Sequence, residues 1–239
     1  MHRFFAAQSD IYNETISLSD EDARHIRAIR LRPEELFVVC DGAGTDYICR
    51  LGAQTGGTNA EVLERRPSRG EPDVKCSVFI ALMKGQKLDV AVQKSVELGA
   101  FEIVLFPSKR TQPGDTVKKL SRLQKIAQEA AKQSHRGIVP QVRAAESFSD
   151  AVSSAAEAEL PLFFYEHEER LSLQDALESA GKPASISILT GPEGGFAPEE
   201  AQYAAENGIR AVTLGPRVLR CETAPIAALS AIMFQTGNL

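Results

Sequence analysis

The 239-residue sequence predicts an α/β fold, a mainly parallel sheet covered by helices, preceded by a small β-barrel-like domain. Three observations carry this expectation. From Ser77 onward, apolar strand-like runs alternate with helical periodicity, the pattern of a buried parallel sheet. Two of those strands end in Gly-Pro, at Ile188-Leu189-Thr190-Gly191-Pro192-Glu193-Gly194-Gly195-Phe196 and at Thr213-Leu214-Gly215-Pro216-Arg217-Val218-Leu219-Arg220. The first 66 residues instead hold β-prone runs broken by a hairpin signal.

In the N-terminal part, Ser19-Asp20-Glu21-Asp22 reads as a capped helix start, followed by Ala23, Ile26 and Ile29 at helical spacing. Strands are expected at Leu36 to Cys40, Tyr47 to Leu51 and Ala60 to Glu64, the first two joined through Asp41-Gly42-Ala43-Gly44. Arg65 to Pro72 has the charge, Pro and Gly content of a linker, so domains are expected at residues 1–68 and 73–239. Beyond it the reading is a strand from Ser77 to Met83, a helix from Leu88 to Leu98 closed by Gly99, and a strand from Phe101 to Phe106. A long helix from Val117 to His135, a helix near Asp150 to Ala158, the strand Leu160 to Tyr165 and the helix Leu171 to Ala180 follow. The helix Pro198 to Asn207 separates the two Gly-Pro strands, which places their loops side by side at the carboxyl ends of neighbouring strands, where open α/β sheets bind ligands. Thr223 reads as the N-cap of a last helix with Pro225 in its first turn.

Composition is that of a globular protein, with 43% hydrophobic and 25% charged residues. The N-terminus lacks a signal-peptide pattern and no apolar run reaches the roughly 18 residues of a membrane helix, so a cytoplasmic location and no membrane partner are expected. Cys40, Cys49, Cys76 and Cys221 have no zinc-ligand spacing; no metal is expected and all four read as reduced. Cys40 and Cys49 either face each other across a hairpin or, the reading favoured here, serve packing.

The net charge of -5 hides an asymmetry. From Lys84 to Arg143 twelve basic residues stand against five acidic ones, about +7 within the window and about -12 outside it. On the long helix, Lys118, Arg122, Lys125, Lys132 and Arg136 step along one face, while Leu120, Leu123, Ala127, Ala130 and Ala131 fall on the other. Lys84, Lys87, Lys94, Lys109 and Arg110 belong to the same region, and Arg24, Arg27, Arg30 and Arg32 surround the N-terminal helix. Such a basic region on an acidic chain is either a solvated surface or, as its spread over several elements favours, a phosphate-binding face.

Neither a dinucleotide fingerprint nor a P-loop is present, which disfavours an oxidoreductase using a dinucleotide. In Gly191 to Gly195, Pro192 fixes one φ while Gly194 and Gly195 allow close backbone approach to a flat polar group such as a nucleoside edge. Glu193 is either a solvated turn acid or a carboxylate that acts on a ligand. Arg220 is either a surface ion-pair residue or a cation placed to stabilise charge.

Taken together, Ala81-Leu82-x-Lys84-Gly85, Gln93-Lys94-x-x-Glu97-Leu98-Gly99, Glu129-Ala130-Ala131-x-Gln133-Ser134, Gly191 to Phe196 and Leu214-Gly215-x-Arg217-x-Leu219-Arg220-x-Glu222-Thr223-Ala224 resemble the RsmE family of ribosomal RNA methyltransferases. His2-Arg3-Phe4-Phe5, His25-x-x-x-x-Arg30 and Asp41-Gly42-x-Gly44 resemble its N-terminal PUA-like RNA-binding barrel, which adds Arg3 to the RNA-binding candidates. Cys221 stands where the family usually has Thr. The resemblance implies a C-terminal SPOUT domain with a trefoil knot, a homodimer, S-adenosylmethionine as cofactor, and methylation of uridine N3 in 16S rRNA of the small subunit. It further implies that cofactor contacts come from Tyr165, Leu189, Thr190, Gly191, Pro192, Glu193, Gly194, Gly195, Phe196, Leu214, Gly215, Val218, Leu219, Arg220, Thr223 and Ala224, with Leu160 to Glu166 supplying a third wall. In that frame Glu193 and Arg220 are the catalytic candidates, as proton acceptor and as stabiliser of the developing anion.

Overall fold

The computed structural model describes residues 1–52, 59–111 and 116–239, with 116–118 described by their backbone alone. The chain divides into two compact units, Met1–Glu71 with Ala131–Val139, and Pro72–Ala130 with Pro140–Leu239.

In the first unit β1 (Arg3–Phe5), β2 (Thr15–Ser17), β3 (Phe37–Cys40), β4 (Thr45–Leu51) and β5 (Asn59–Pro67) form one sheet in the order β1-β3-β4-β5-β2. The hairpin expected at Asp41 to Gly44 joins β3 to β4 antiparallel. Alternation along the strands sends Phe4, Phe37, Val39, Tyr47 and Cys49 into a core shared with Ile26 of α1 (Asp20–Ala28), while Val38, Cys40 and Ile48 cluster separately. The Ser19 hydroxyl accepts from the Asp22 N–H and starts α1, as its Ser-x-x-Asp pattern predicts. Three expectations are corrected. Arg65 to Pro67 belong to β5 rather than to a linker. Cys40 pairs in register with Asp46, and Cys49 with Phe37, so the two thiols do not face each other; all four cysteines are free. The two edge strands β1 and β2, three residues each, went unseen.

The added segment Ala131–Val139 is held by buried charge. Arg3 donates two hydrogen bonds of 2.8 Å to the Asp46 carboxylate and a third, of 3.2 Å, to the Arg136 carbonyl. Asp46 also accepts from the Ser68 hydroxyl and the Cys40 thiol. Arg136 in turn donates to Glu71 at 2.7 Å, and Glu71 accepts from the Gly137 and Ile138 N–H groups at 2.9 and 3.0 Å. Gly137 is required here, because a Cβ would overlap the Ser68 hydroxyl. Arg3 and Arg136, expected on an RNA-binding surface, are thus buried structural cations.

The second unit is a six-stranded sheet in the order β11-β9-β10-β6-β7-β8, and every pairing is parallel. Its strands are β6 (Lys75–Ala81), β7 (Glu102–Phe106), β8 (Gln141–Ala144), β9 (Leu160–Phe164), β10 (Ser185–Thr190) and β11 (Arg210–Val212). Consecutive residues such as Val78, Phe79 and Ile80 are all buried, so both faces are covered. The helices are α2 (Lys87–Glu97), α3 (Thr116–Gln133), α4 (Phe148–Ala155), α5 (Leu173–Ala180), α6 (Pro198–Glu206) and α7 (Thr223–Gln235). Ser147 and Ser172 cap α4 and α5 by accepting from Asp150 and Asp175 N–H groups. Ala151, Val152 and Ala155 of α4 share a core with Phe79, Val104, Phe163 and Leu189, while α7 packs on α2, α5, β6 and β10. Along α3, Leu123, Ala127, Ala130 and Ala131 are buried, the apolar face that its periodicity predicts. The short polar strand β8 was missed. Thr223 is the first residue of α7 rather than its N-cap, and its N–H is satisfied by the Arg220 carbonyl at 2.8 Å.

Removing the Asp46 carboxylate leaves Arg3 buried and unpaired, which costs about 3–5 kcal/mol of local stability. Burial works against the Asp46 charge, but Arg3, Ser68 and Cys40 outweigh it and hold the carboxyl below its usual range. This contribution is therefore present above the unfolded carboxylate pKa and is lost as pH falls through the lowered one. In Asp46→Ala, hydrogen exchange of the β4 amides is expected to accelerate steeply at pH 7 while that of β10 does not; equal protection in variant and wild type would refute the assignment.

Candidate active site

The carboxyl ends of β9, β10 and β11 open into a cleft of about 820 Å³. One correction concerns its layout. The two Gly-Pro strands are not neighbours: β9 lies between them, so their loops flank a third one, Tyr165 to Glu169.

The Gly191 to Phe196 loop is fastened from below. Phe196 is buried with its ring centroid 4.2 Å from that of Phe163 and stacked at 6.3 Å on Phe106. A Cβ at Gly191 would meet the Phe196 ring at 3.1 Å, so a glycine there lets the ring lie beneath the turn. Gly195 has φ +66°, and its missing side chain makes room for the Glu166 carboxylate. The loop then runs into α6, whose buried Glu200 accepts from the Ala197 N–H at 2.8 Å, the Lys109 N–H at 2.9 Å and the Ser108 hydroxyl at 3.2 Å. Arg110 adds a 2.6 Å bond to the Gly194 carbonyl.

Of the expected cofactor residues, Tyr165, Gly191, Pro192, Glu193, Gly195, Phe196, Leu214, Gly215, Val218, Leu219, Arg220 and Ala224 line the cleft. Four do not. Leu189 is in the core, the Thr190 hydroxyl donates to the Phe79 carbonyl at 3.3 Å, Gly194 is turned to Arg110, and Thr223 is exposed outside the lining. Glu166, the last residue of the third wall that the resemblance implies, lines it, as do Arg217, Cys221 and Glu222, which sequence reasoning gave no cofactor contact. Sequence reasoning passed over Glu168 and Glu169, which continue an acidic run directly after an apolar strand, a signal that the same strand-end logic makes readable.

Electrostatically the cleft floor is a pair. Glu193 accepts from the Lys84 N–H at 3.1 Å and from Lys87 Nζ at 3.2 Å, tying the Gly-Pro loop to the start of α2. Partial burial disfavours its charge, yet these donors and the loop's own amide hold its pKa below the ordinary carboxylate value. Burial pushes the Cys221 thiol up to about 11, and the thiol donates to Glu222 at 3.2 Å. Arg217 and Arg220 line the cleft and make no ion pair among the described residues.

The remaining RNA-binding candidates are distributed differently from their even spacing in sequence. Lys87 belongs to the cleft, and Arg110 braces its loop. Lys94 pairs with Glu97, Arg122 with Asp89 and Lys132 with Asp22. Lys84, Lys125, Arg27 and Arg30 are exposed, and the Lys118 side chain lies outside the described residues.

An amide-lined cleft of this size, with glycine backbone on one wall and separated charges on others, suits a polar nucleoside-type ligand. Residues 70–233 match the RNA methyltransferase domain family. The chain is 31% identical to ribosomal RNA small subunit methyltransferase E of Mesomycoplasma hyopneumoniae, over 96% of this chain and 98% of that protein. It is 33% identical to the protein of the same name from Bacillus subtilis, over 94% and 92% of the two chains. Among solved structures, ribosomal RNA small subunit methyltransferase E from Neisseria gonorrhoeae bound to S-adenosyl methionine superposes with a TM-score of 0.87 at 32% identity, covering 98% of each chain. With its parallel sheet, its strand-end cleft and matches that run nearly end to end, the chain belongs to the RsmE family of RNA methyltransferases.

Proposed function

We propose that this protein is an S-adenosylmethionine-dependent methyltransferase that modifies N3 of one uridine in 16S rRNA of the small ribosomal subunit. The observation that carries the reading is the cleft itself, because Gly191, Pro192, Gly195 and the Leu214 to Ala224 segment present backbone to a ligand at the ends of three parallel strands. These residues, with Tyr165 and Phe196, would hold the cofactor. When bound, S-adenosylmethionine supplies an electrophilic methyl group on a cationic sulfur.

The protein's own contribution is positioning and charge control. Uridine N3 loses its proton as it reacts, leaving negative charge on the pyrimidine. Arg220, on the cleft wall and without an ion pair among the described residues, stabilises that charge. Glu193 is in its acceptor form at neutral pH, because Lys87 and the Lys84 N–H keep it ionised; its low proton affinity makes it a weak base, so its larger effect is to hold the loop. The target base is unstacked to reach the cleft, and exposed Lys84, Lys125, Arg27 and Arg30 supply phosphate contacts.

The finer architecture belongs to the same proposal. The first unit is a PUA-like RNA-binding domain, and the second is a SPOUT domain with a C-terminal trefoil knot, a reading supported by the return of α7 onto β6 and β10. The protein acts in the cytoplasm as a homodimer. Supporting the dimer, α7 is apolar on its outer side as well as its inner one: Phe234 is 74% exposed, and Val218 at the cleft rim is 79% exposed.

The decisive test of function is nucleoside mapping of small-subunit rRNA from cells with and without the protein. One N3-methyluridine is expected to vanish on deletion and return with the wild-type copy; its persistence would refute the reading. Arg220→Ala is expected to lower kcat about 10²–10³-fold while the cofactor Kd changes little. Glu193→Gln is expected to do the converse, weakening the cofactor more than it slows turnover, and the reverse split would exchange the two roles. In analytical ultracentrifugation, Phe234→Glu is expected to shift a dimer toward monomer; an unaltered sedimentation coefficient would exclude α7 from the interface.

A further inference from the structure

Glu166 and Glu169 stand apart from the other carboxylates on the cleft wall in meeting no lysine or arginine among the described residues, and of the two it is Glu166 that lies against the glycine loop. Glu193 is matched by Lys87 at 3.2 Å. Glu222 accepts from the Cys221 thiol, and Lys87 and Arg220 help to keep it ionised. Glu168 accepts from the Arg170 and Leu171 N–H groups at 2.7 and 3.1 Å, which closes its own turn. Glu166 meets no lysine or arginine within ion-pair distance among the described residues; the His167 imidazole lies 3.6 Å away and is itself 69% exposed.

Its place in the fold is central. Glu166 follows β9, the strand between the two that carry the Gly-Pro loops, so its carboxylate emerges between the cleft's flanking walls. The side chain lies on the glycine loop, with Oε1 and Oε2 at 2.5 and 3.1 Å from the point that a Cβ on Gly195 would occupy. A side chain at residue 195 would displace it, so glycine there both shapes the turn and admits a negative charge into the cleft.

An uncompensated carboxylate that faces a cleft favours a ligand that brings positive charge. We infer that Glu166 reads the charge on the ligand's sulfur, favouring the sulfonium of S-adenosylmethionine over the neutral thioether of S-adenosylhomocysteine. The inference rests on the cofactor reading above and gives the cleft a means of holding the spent ligand more weakly than the fresh one.

Calorimetry on the full chain tests it with three probes: S-adenosylmethionine, S-adenosylhomocysteine, and sinefungin, which carries an amine in place of the methylated sulfur. Wild type is expected to bind both cationic ligands more tightly than the neutral one, by roughly tenfold, the order of one charge contact in a hydrated cleft. Glu166→Gln is expected to bring the three affinities together by weakening the cationic ligands alone, and Glu166→Asp to keep the order of preference. Equal weakening of all three would assign Glu166 to packing on Gly195 and overturn the inference, as would an unchanged ratio. A folded wild-type protein that binds none of the three would instead overturn the cofactor reading, and the inference with it.

Discussion

The cleft depends on Phe196 being drawn under the loop that it terminates. A strand-end turn that offers bare backbone to a ligand has little to hold it, since Gly191, Gly194 and Gly195 have no side chains to pack and carry high conformational entropy. Burying one phenylalanine contributes about 1.5–3 kcal/mol, and here that burial is aimed at the loop's last residue. Phe163 and Phe106 from β9 and β7 and Phe148 from α4 receive the ring, so three elements of the sheet layer define where the turn must sit. Gly191 contributes by absence, leaving the space above the ring empty. The consequences run onward: α6 begins directly after Phe196, Glu200 in its first turn gathers Ser108 and Lys109, and Arg110 reaches back to Gly194. A polar network and an aromatic one thus secure the same six residues from opposite sides.

Much of this was legible because local chemistry and tertiary environment agree. Central strands β6, β7, β9 and β10 are buried on both faces and so read as continuous apolar runs. Helix α1 announces itself through a Ser-x-x-Asp cap that the structure uses, and Ser147 and Ser172 cap α4 and α5 in the same way. What escaped is what depends on distant parts of the chain. Strands β1, β2 and β8 have three or four residues each and owe their existence to a partner rather than to their own pattern. No local signal says that β9 separates the two Gly-Pro strands, so the place of Glu166 between their loops comes from the structure alone. Arg3 and Arg136 look like any surface cations until Asp46 and Glu71 are brought to them from 43 and 65 residues away.

Those two arginines alter the meaning of the basic region. Counting charge along the sequence treats every lysine and arginine as available to phosphate, but the fold sorts them. Arg136 spends its guanidinium on Glu71 and its carbonyl on Arg3, which fixes Ala131–Val139 to the first unit. Arg110 is committed to a carbonyl of the glycine loop and Lys87 to Glu193. Lys84, Lys125, Arg27 and Arg30 are the ones presented to solvent, and exposed charge attracts a polyanion without first having to break an internal pair.

The same sorting shapes the cleft. With Glu193 and Lys87 neutralising each other on the floor, the charges left to act on a ligand sit on different walls: Glu166 and Glu169 after β9, Arg217 and Arg220 after β11. A ligand that carries both signs is held in one orientation by such an arrangement, because reversing it would set like charges together. Separation matters as much as sign. Had Glu166 been paired with Arg220, the two would cancel and the cleft would recognise shape alone; held apart by the width of a strand, each keeps its field. The position of β9 between the two Gly-Pro strands, which no stretch of the sequence discloses, is therefore what converts two glycine turns into a site with electrostatic direction.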